Sequence, residues 1–198
     1  MYYFLSLGSN LGDCQLNLTT ATQLIEKNIG AVVASSSLYE SSPWGFQSDN
    51  RFLNSVLAVL SELSPQELLH MTQSIEKQLG RAEKTPIING KPIYSDRLID
   101  IDILLAFPEN IFFTTLQQAV NSHQRTAISE QLSAISEQST ALSSQQSLSS
   151  NHYSAISYLI NNSLRISTPT LTLPHPHILQ REFVTAPLIE LISCLTQK

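Results

Sequence analysis

Asp96-Arg97-Leu98-Ile99-Asp100-Ile101-Asp102-Ile103-Leu104-Leu105 is the stretch that decides how the rest of the chain is read. Rich in Ile and Leu, it reads as a strand. Residues two apart on a strand share a face, so Asp100 and Asp102 project together, and Ile99, Ile101 and Ile103 project to the other side. Leu104 and Leu105 carry the apolar run past the acids. Two carboxylates side by side repel each other unless a cation lies between them. All-oxygen ligation suits Mg²⁺, which takes one or two carboxylates and completes its shell with substrate phosphates. Arg97 adds a planar fork suited to phosphate oxygens. The constellation reads as a site for a metal–nucleotide complex. Asp-x-Asp taken alone reads at least as well as an ordinary Arg–Asp pair on a polar strand face.

Upstream of this strand, residues 2–7 alternate loosely and end at Gly8-Ser9-Asn10, a turn signal. An amphipathic helix follows from about Asp13 to Lys27, with Leu18, Ala21, Leu24 and Ile25 at helical spacing and Gly30 as its stop. Ala31 to Tyr39 is β-rich, Glu40 to Arg51 is a loop, and Phe52 to Leu60 is a strand. Ser64-Pro65-Gln66-Glu67 is a capping box with Pro at the first helical position, and the helix it opens stops at Gly80. A polar loop from Arg81 to Asp96 leads into the Asp-bearing strand. Strand, helix, strand, strand, helix, strand is the split βαβ order, so the expected fold is α+β: a ferredoxin-like sandwich of an antiparallel sheet with helices.

The chain has 198 residues, 42 % hydrophobic and 14 % charged, enough for one good core within a single domain over 1–198. Its net charge of −5 and its lack of a Lys/Arg-rich block argue against a general nucleic-acid binder. Cys14 and Cys194 lie far apart without metal-type spacing and read as free thiols of a reducing, cytoplasmic compartment. The N-terminus reads as a first strand rather than a signal peptide, and no apolar run is long enough to span a membrane.

Residues from about 114 to 164 break the pattern, being dominated by Ser, Gln, Ala and Ile. A seven-residue period runs through Ala127-Ile128-Ser129-Glu130-Gln131-Leu132-Ser133, again from Ala134, and again from Ala141. The coiled-coil seam fails after Ile128, Leu132 and Ile135, because the next positions are Ser139, Leu142 and Gln146. The segment is expected to be a low-complexity insert that a short linker can replace. Ile111-Phe112-Phe113 before it and Arg165-Ile166-Ser167 after it compete for one edge strand, and the second is favoured.

In sum these residues resemble the 6-hydroxymethyl-7,8-dihydropterin pyrophosphokinases of folate biosynthesis. The matching motifs are Leu7-Gly8-Ser9-Asn10-Leu11-Gly12-Asp13, Tyr39 with Ser42-Pro43-Trp44-Gly45, and Phe52-Leu53-Asn54. Ile75-Glu76 with Gly80-Arg81 follows, then the Asp-bearing strand, then Leu173-Pro174-His175-Pro176 with Arg181 and Phe183. The likeness covers roughly residues 1–113 and 165–198. It implies two Mg²⁺ ions, ATP, and transfer of a pyrophosphoryl group to the pterin hydroxymethyl oxygen with release of AMP. It also implies roles. Asp100 and Asp102 would ligate the metals. Arg81, Arg97, His175 and Arg181 match phosphate-contacting positions, with Arg81 and Arg97 counted as catalytic. Gln73 and Glu76 match positions beside the nucleotide, and Ile103 one that packs near adenine. Phe52 and Phe183 match the rings that sandwich the pterin, Asn54 the amide on its edge, and Ser41, Pro43 and Trp44 the loop that completes the pocket.

Each position also has a plainer reading. Phe52, Phe183 and Ile103 fit a core, Asn54 a turn cap, His175 a buried or capping histidine, and Gln73 and Glu76 a solvated helix face. The chain departs from the family at Glu83, where many members carry a second basic residue, and in the long loop from Arg81 to Arg97, where Tyr94 would stand for its aromatic. The expectation is therefore a magnesium-dependent, cytoplasmic, monomeric pterin pyrophosphokinase acting without nucleic acid or membrane. The rivals are a catalytically weakened ferredoxin-like nucleotide-binding module and a single-stranded RNA-binding module. The second would need basic aromatic strands, which this chain lacks.

Overall fold

In the computed structural model, which describes residues 1–81, 87–88, 91–92, 94–121 and 150–197, strand β1 (Tyr2–Ser9) is buried along its whole length. Both of its edges are paired by antiparallel neighbours, β4 (Phe52–Leu60) and β7 (Asp100–Phe107). The far side of β4 is shared by two short strands, β2 (Ala31–Ser35) and β3 (Tyr39–Ser41). The described residues thus form a five-stranded sheet in the order β2-β4-β1-β7, with β3 also on β4. This is the split βαβ arrangement expected from the element order.

Helices α1 (Cys14–Asn28) and α2 (Pro65–Gln78) cover one face. Asp13 caps α1 by accepting from the Leu16 amide, and Ser64 with Glu67 forms the full capping box of α2. Leu18, Ala21, Ile25, Leu68 and Ile75 pack on Tyr3, Leu5, Leu7, Ile99, Ile101 and Ile103. A second helical layer covers part of the other face: α3 (residues 109–121), α4 (Ser150–Asn162) and α5 (Glu182–Thr196). Here Phe112, Leu116, Ala155, Ile156, Leu159, Leu188 and Leu191 pack on Tyr2, Phe4 and Phe107.

This second layer corrects the limits expected for the insert. Residues 114–121 and 154–164 are not dispensable filler, because Leu116, Ala119, Ala155, Ile156 and Leu159 are each no more than 6 % exposed. The Tyr158 hydroxyl also donates to Gln118 and ties α4 to α3. The heptads around 127–147 lie outside the described residues. Of the two edge-strand candidates, residues 111–113 are helical, since Phe112 is needed on the sheet-facing side of α3. Ile166–Ser167 does form a strand, β8, but it pairs with β9 (Thr172–Leu173) in a ladder of its own. Within the expected polar loop after Arg81, β5 (Ile87–Ile88) pairs with β6 (Lys91–Pro92).

The doubled Leu104-Leu105 has a specific consequence. The register of β7 against β1 slips between Phe4 and Leu5, where Phe4 faces Leu105 and Leu5 faces Ile103. Leu104 is therefore the extra residue of a β-bulge, and Leu104 and Leu105 both reach the α3–α5 layer. A bulge leaves backbone groups unpaired, and the Leu104 carbonyl accepts the His175 amide at 2.9 Å.

Candidate functional site

The α3–α5 layer covers Tyr2 and Phe4 but leaves the next two residues of that face of β1, Ser6 and Gly8, on the floor of an open cleft. Small residues are what a floor needs. A Cβ at Gly8 would come within 3.2 Å of the Asn54 side-chain oxygen. Gly8 stands opposite Asn54 on one side and Asp100 on the other, and Ser6 stands opposite Asp102. Asn54, Gly8 and Asp100 therefore form one row across three strands. At two strand spacings, the amide and the carboxylate lie roughly 10 Å apart.

The amide end of the row is held firmly. Asn54 is 2 % exposed, and its Nδ2 donates to the Tyr39 carbonyl and to Ser41 Oγ, both at 3.0 Å. This fixes which way the amide points and turns its oxygen toward Gly8. Phe52, Phe183, Phe46 and Trp44 line the cleft beside it, with Phe46 edge-on to Phe52 at 6.2 Å.

The carboxylate end is a ring of cations. Arg81 Nη1 lies 2.5 Å from Asp100 Oδ1 and also pairs with Glu76. Arg97 Nη1 lies 2.9 Å from Asp100 Oδ2. Arg181 Nη1 lies 3.0 Å from Asp102 Oδ2, and His175 Nε2 lies 3.9 Å from the same oxygen. The Arg181 guanidinium stacks 4.6 Å over Trp44 and buries its Nε without a partner among the described residues. Burial lowers the His175 pKa below the ordinary histidine range, Asp102 pulling the other way, so the ring is neutral at pH 7. Burial pushes the Glu76 carboxyl up to about 7, against the pull of Arg81. Glu76 also accepts the Ile101 amide at 2.8 Å, which joins α2 to the start of β7.

The sequence that builds this arginine-rich pocket beside an aromatic slot matches a known family. The profile of the family described as 7,8-dihydro-6-hydroxymethylpterin-pyrophosphokinase (HPPK) matches residues 4–193. This chain belongs to that family. It is thus a pyrophosphokinase of folate biosynthesis. It is similar to the 2-amino-4-hydroxy-6-hydroxymethyldihydropteridine pyrophosphokinase of Porphyromonas gingivalis, 51 % identical over 102 residues, covering 52 % of this chain and 67 % of that one. It is 35 % identical over 123 residues to the Bacillus subtilis protein of the same name, covering 62 % of this chain and 68 % of that one. A crystal structure of Plasmodium falciparum HPPK-DHPS aligns with 99 % of this chain at 15 % identity and a TM-score of 0.47, and this chain spans 44 % of it.

Of the HPPK positions expected from the sequence, Ser41, Trp44, Phe52, Asn54, Arg97, Asp100, Asp102, Arg181 and Phe183 line the cleft together. Arg81 and His175 join it through their contacts with Asp100 and Asp102, and Glu76 through Arg81. Pro43 lies in the loop but not on the cleft wall, and Gln73 stands one turn before Glu76 on α2, also off the wall. Ile103 is packed in the α1–α2 layer at 4 % exposure. Glu83 lies outside the described residues. Tyr94 does reach the cleft, edge-on to Trp44 at 5.9 Å.

Ser6, Gly8, Ser42 and Phe46 line the cleft without having been singled out as site residues. For the first two a signal existed, because small residues recur at i, i+2 on an otherwise bulky strand. Ser42 belongs to the Ser42-Pro43-Trp44-Gly45 motif without having been given a role, and Phe46 has no local signature.

Proposed function

We propose that the row from Asn54 to Asp100 is the path of the reaction, with 6-hydroxymethyl-7,8-dihydropterin at one end and the ATP polyphosphate at the other. A planar pterin fits between Phe52 and Phe183 with its edge on Asn54. The span of about two strands leaves its hydroxymethyl group pointing toward Asp100 and Asp102. That oxygen attacks the β-phosphorus of ATP. The bond between the β-phosphorus and the α,β-bridging oxygen breaks, AMP leaves, and the hydroxyl proton passes to water. Such a transfer is governed by positioning and charge rather than by covalent chemistry on the protein.

The donor set fits two Mg²⁺ ions held by Asp100 and Asp102. Among the described residues no group of three or more His, Cys, Asp or Glu side chains is placed to hold an ion. Two carboxylates suffice where phosphate oxygens complete the shell, and among the described residues the buried Arg181 Nε is a donor without an acceptor. When bound, the ions neutralise polyphosphate charge. The protein's own part is to hold the carboxylates on one strand face and to aim Arg81, Arg97 and Arg181 at the phosphates. Their present pairing with Asp100 and Asp102 keeps them in place. Neutral His175, stiffened between Pro174 and Pro176 and anchored on the bulge carbonyl, offers a further donor.

We place the enzyme in the cytoplasm and take it to act as a monomer of one domain. Free Cys14 and Cys194 fit that compartment. No described helix is long and apolar enough to cross a membrane.

The observation that carries this reading is the shared row of an oriented amide, a glycine and a carboxylate. The test is AMP formation from ATP by the purified protein, with and without the pterin and Mg²⁺. AMP that requires both supports it. ATP binding with no pterin-dependent AMP would instead identify a nucleotide-binding module.

A further inference from the structure

Asp96 lies outside the cleft wall, yet its carboxylate joins three separate segments. Oδ1 accepts from Asn10 Nδ2 at 2.6 Å, at the end of β1. Oδ2 accepts from Asn50 Nδ2 at 2.7 Å, in the loop between β3 and β4. Hydrogen bonds from Ser48 first, then from Asn50 and Asn10, hold its carboxyl below the ordinary range. The knot is reinforced around it. Ser48 Oγ accepts the Asn50 amide at 3.1 Å, and the buried Asn10 Oδ1 accepts the Arg97 amide at 2.8 Å. Asn10 N donates in turn to the Arg97 carbonyl at 3.1 Å.

The two ends of the knot lead to opposite ends of the cleft. Residue 97 is the arginine that pairs with Asp100. The loop that Asn50 and Ser48 anchor carries Trp44 and Phe46, which line the aromatic slot. We propose that Asp96 is a positioning residue that couples the aromatic loop to Arg97, so that the slot and the phosphate-facing arginine are set by one carboxylate. It touches no reacting atom in this arrangement and acts through Asn50 and Arg97. The proposal deepens the reading of the cleft as a pterin and polyphosphate site and rests on it.

The chain contains one tryptophan, Trp44, and it sits in the anchored loop, so its emission reports the loop without any need for turnover. The experiment compares the unsubstituted protein with Asp96→Ala, Asn50→Ala and the double variant. It measures acrylamide quenching of Trp44, thermal unfolding, and kcat and KM for the pterin at saturating MgATP. The expected result is a roughly twofold rise in quenching in each single variant with little change in melting temperature, as for a local loosening. Asn50→Ala should act chiefly on the pterin KM, and Asp96→Ala on both KM and kcat, about tenfold for a lost charge-assisted hydrogen bond. The double variant should be little worse than Asp96→Ala, because both remove one connection. Unchanged quenching in both single variants overturns the coupling, and so do multiplying kinetic losses in the double variant or losses that track melting temperature alone. Absence of pterin-dependent AMP formation in the unsubstituted protein is a different outcome. It overturns the reading of the reaction, while the quenching comparison still decides the loop.

Discussion

Glu76→Gln tests the electrostatics of the site without reference to turnover. The Glu76 side chain is only 10 % exposed, and its Oε1 accepts both from Arg81 and from the Ile101 amide. A glutamine places a carbonyl oxygen on the same two donors, so the geometry is retained and the titration is removed. Burial is the largest influence on the native carboxyl, followed by Arg81 pulling down and Asp100 pushing up, and the result is a pKa of about 7 in place of 4.5. Below pH 4.5 the folded and unfolded chains both hold the proton. Between 4.5 and about 7 the folded protein keeps a proton that the unfolded chain has lost, so stability falls as pH rises through this window. At about 1.4 kcal/mol per pH unit, the change from pH 5 to 8 is about 2–3 kcal/mol. Urea unfolding of both proteins in Mg²⁺-free buffer measures it, since the other titrating groups are common to both and cancel. The variant should gain on the native protein by that amount across the range, reaching its full advantage above pH 7. A difference that stays flat from pH 5 to 8 would show that Glu76 is ionised throughout and that the burial argument is wrong.

Asp100→Ala and Asp102→Ala should each abolish AMP formation while the far-UV spectrum and the cooperative unfolding survive, and removal of Mg²⁺ by chelation should match them. Near-normal rates for Asp102→Ala at limiting Mg²⁺ would refute the ligand assignment. Asn54→Ala should weaken pterin binding by about 1–3 kcal/mol, the cost of a buried polar edge losing its partner. Phe183→Ala should weaken it by at least the roughly 0.5–1.5 kcal/mol of an aromatic pair, and both should leave ATP binding largely unchanged in calorimetric titrations. Equal losses for the two ligands would mean that these side chains only hold the fold. Replacing residues 114–164 with a short linker should prevent cooperative folding, because it deletes the buried Leu116 and Leu159, each worth about 2–5 kcal/mol on truncation to Ala. A chain lacking only 122–149 keeps those contacts, and circular dichroism with thermal melting of the two deletions separates the cases.

Local signals carried much of the α+β pattern. Asp13 and the Ser64–Glu67 box start their helices where their side chains satisfy otherwise unpaired amides. The alternation of Asp100, Ile101, Asp102 and Ile103 puts the acids on one face because strand periodicity is a local property of the backbone. The resemblance, for its part, rested on motifs spread from Leu7 to Phe183, and the family match over 4–193 agrees with it.

Other features had no local cause to read. Leu116 and Ile156 sit in Ser- and Gln-rich surroundings whose heptad register fails, and only the exposed far face of the sheet, over Tyr2 and Phe4, gives α3 and α4 something to bury. The doubled Leu104-Leu105 looked like a longer apolar run, and pairing with β1 turned it into the bulge whose spare carbonyl positions His175. Gly8 became a floor only when Asn54 and Asp100 came to flank it, and Asp96 became a junction only when residues 10, 48 and 50 were folded against it. Sequence alone therefore determined the split βαβ elements, the shared face of the acids and the family, since each rests on neighbouring residues or on the order of the motifs. Tertiary structure decided which small residues open the cleft, which helices cover the sheet and which carboxylate ties the loops together, because those depend on contacts between residues far apart in the chain.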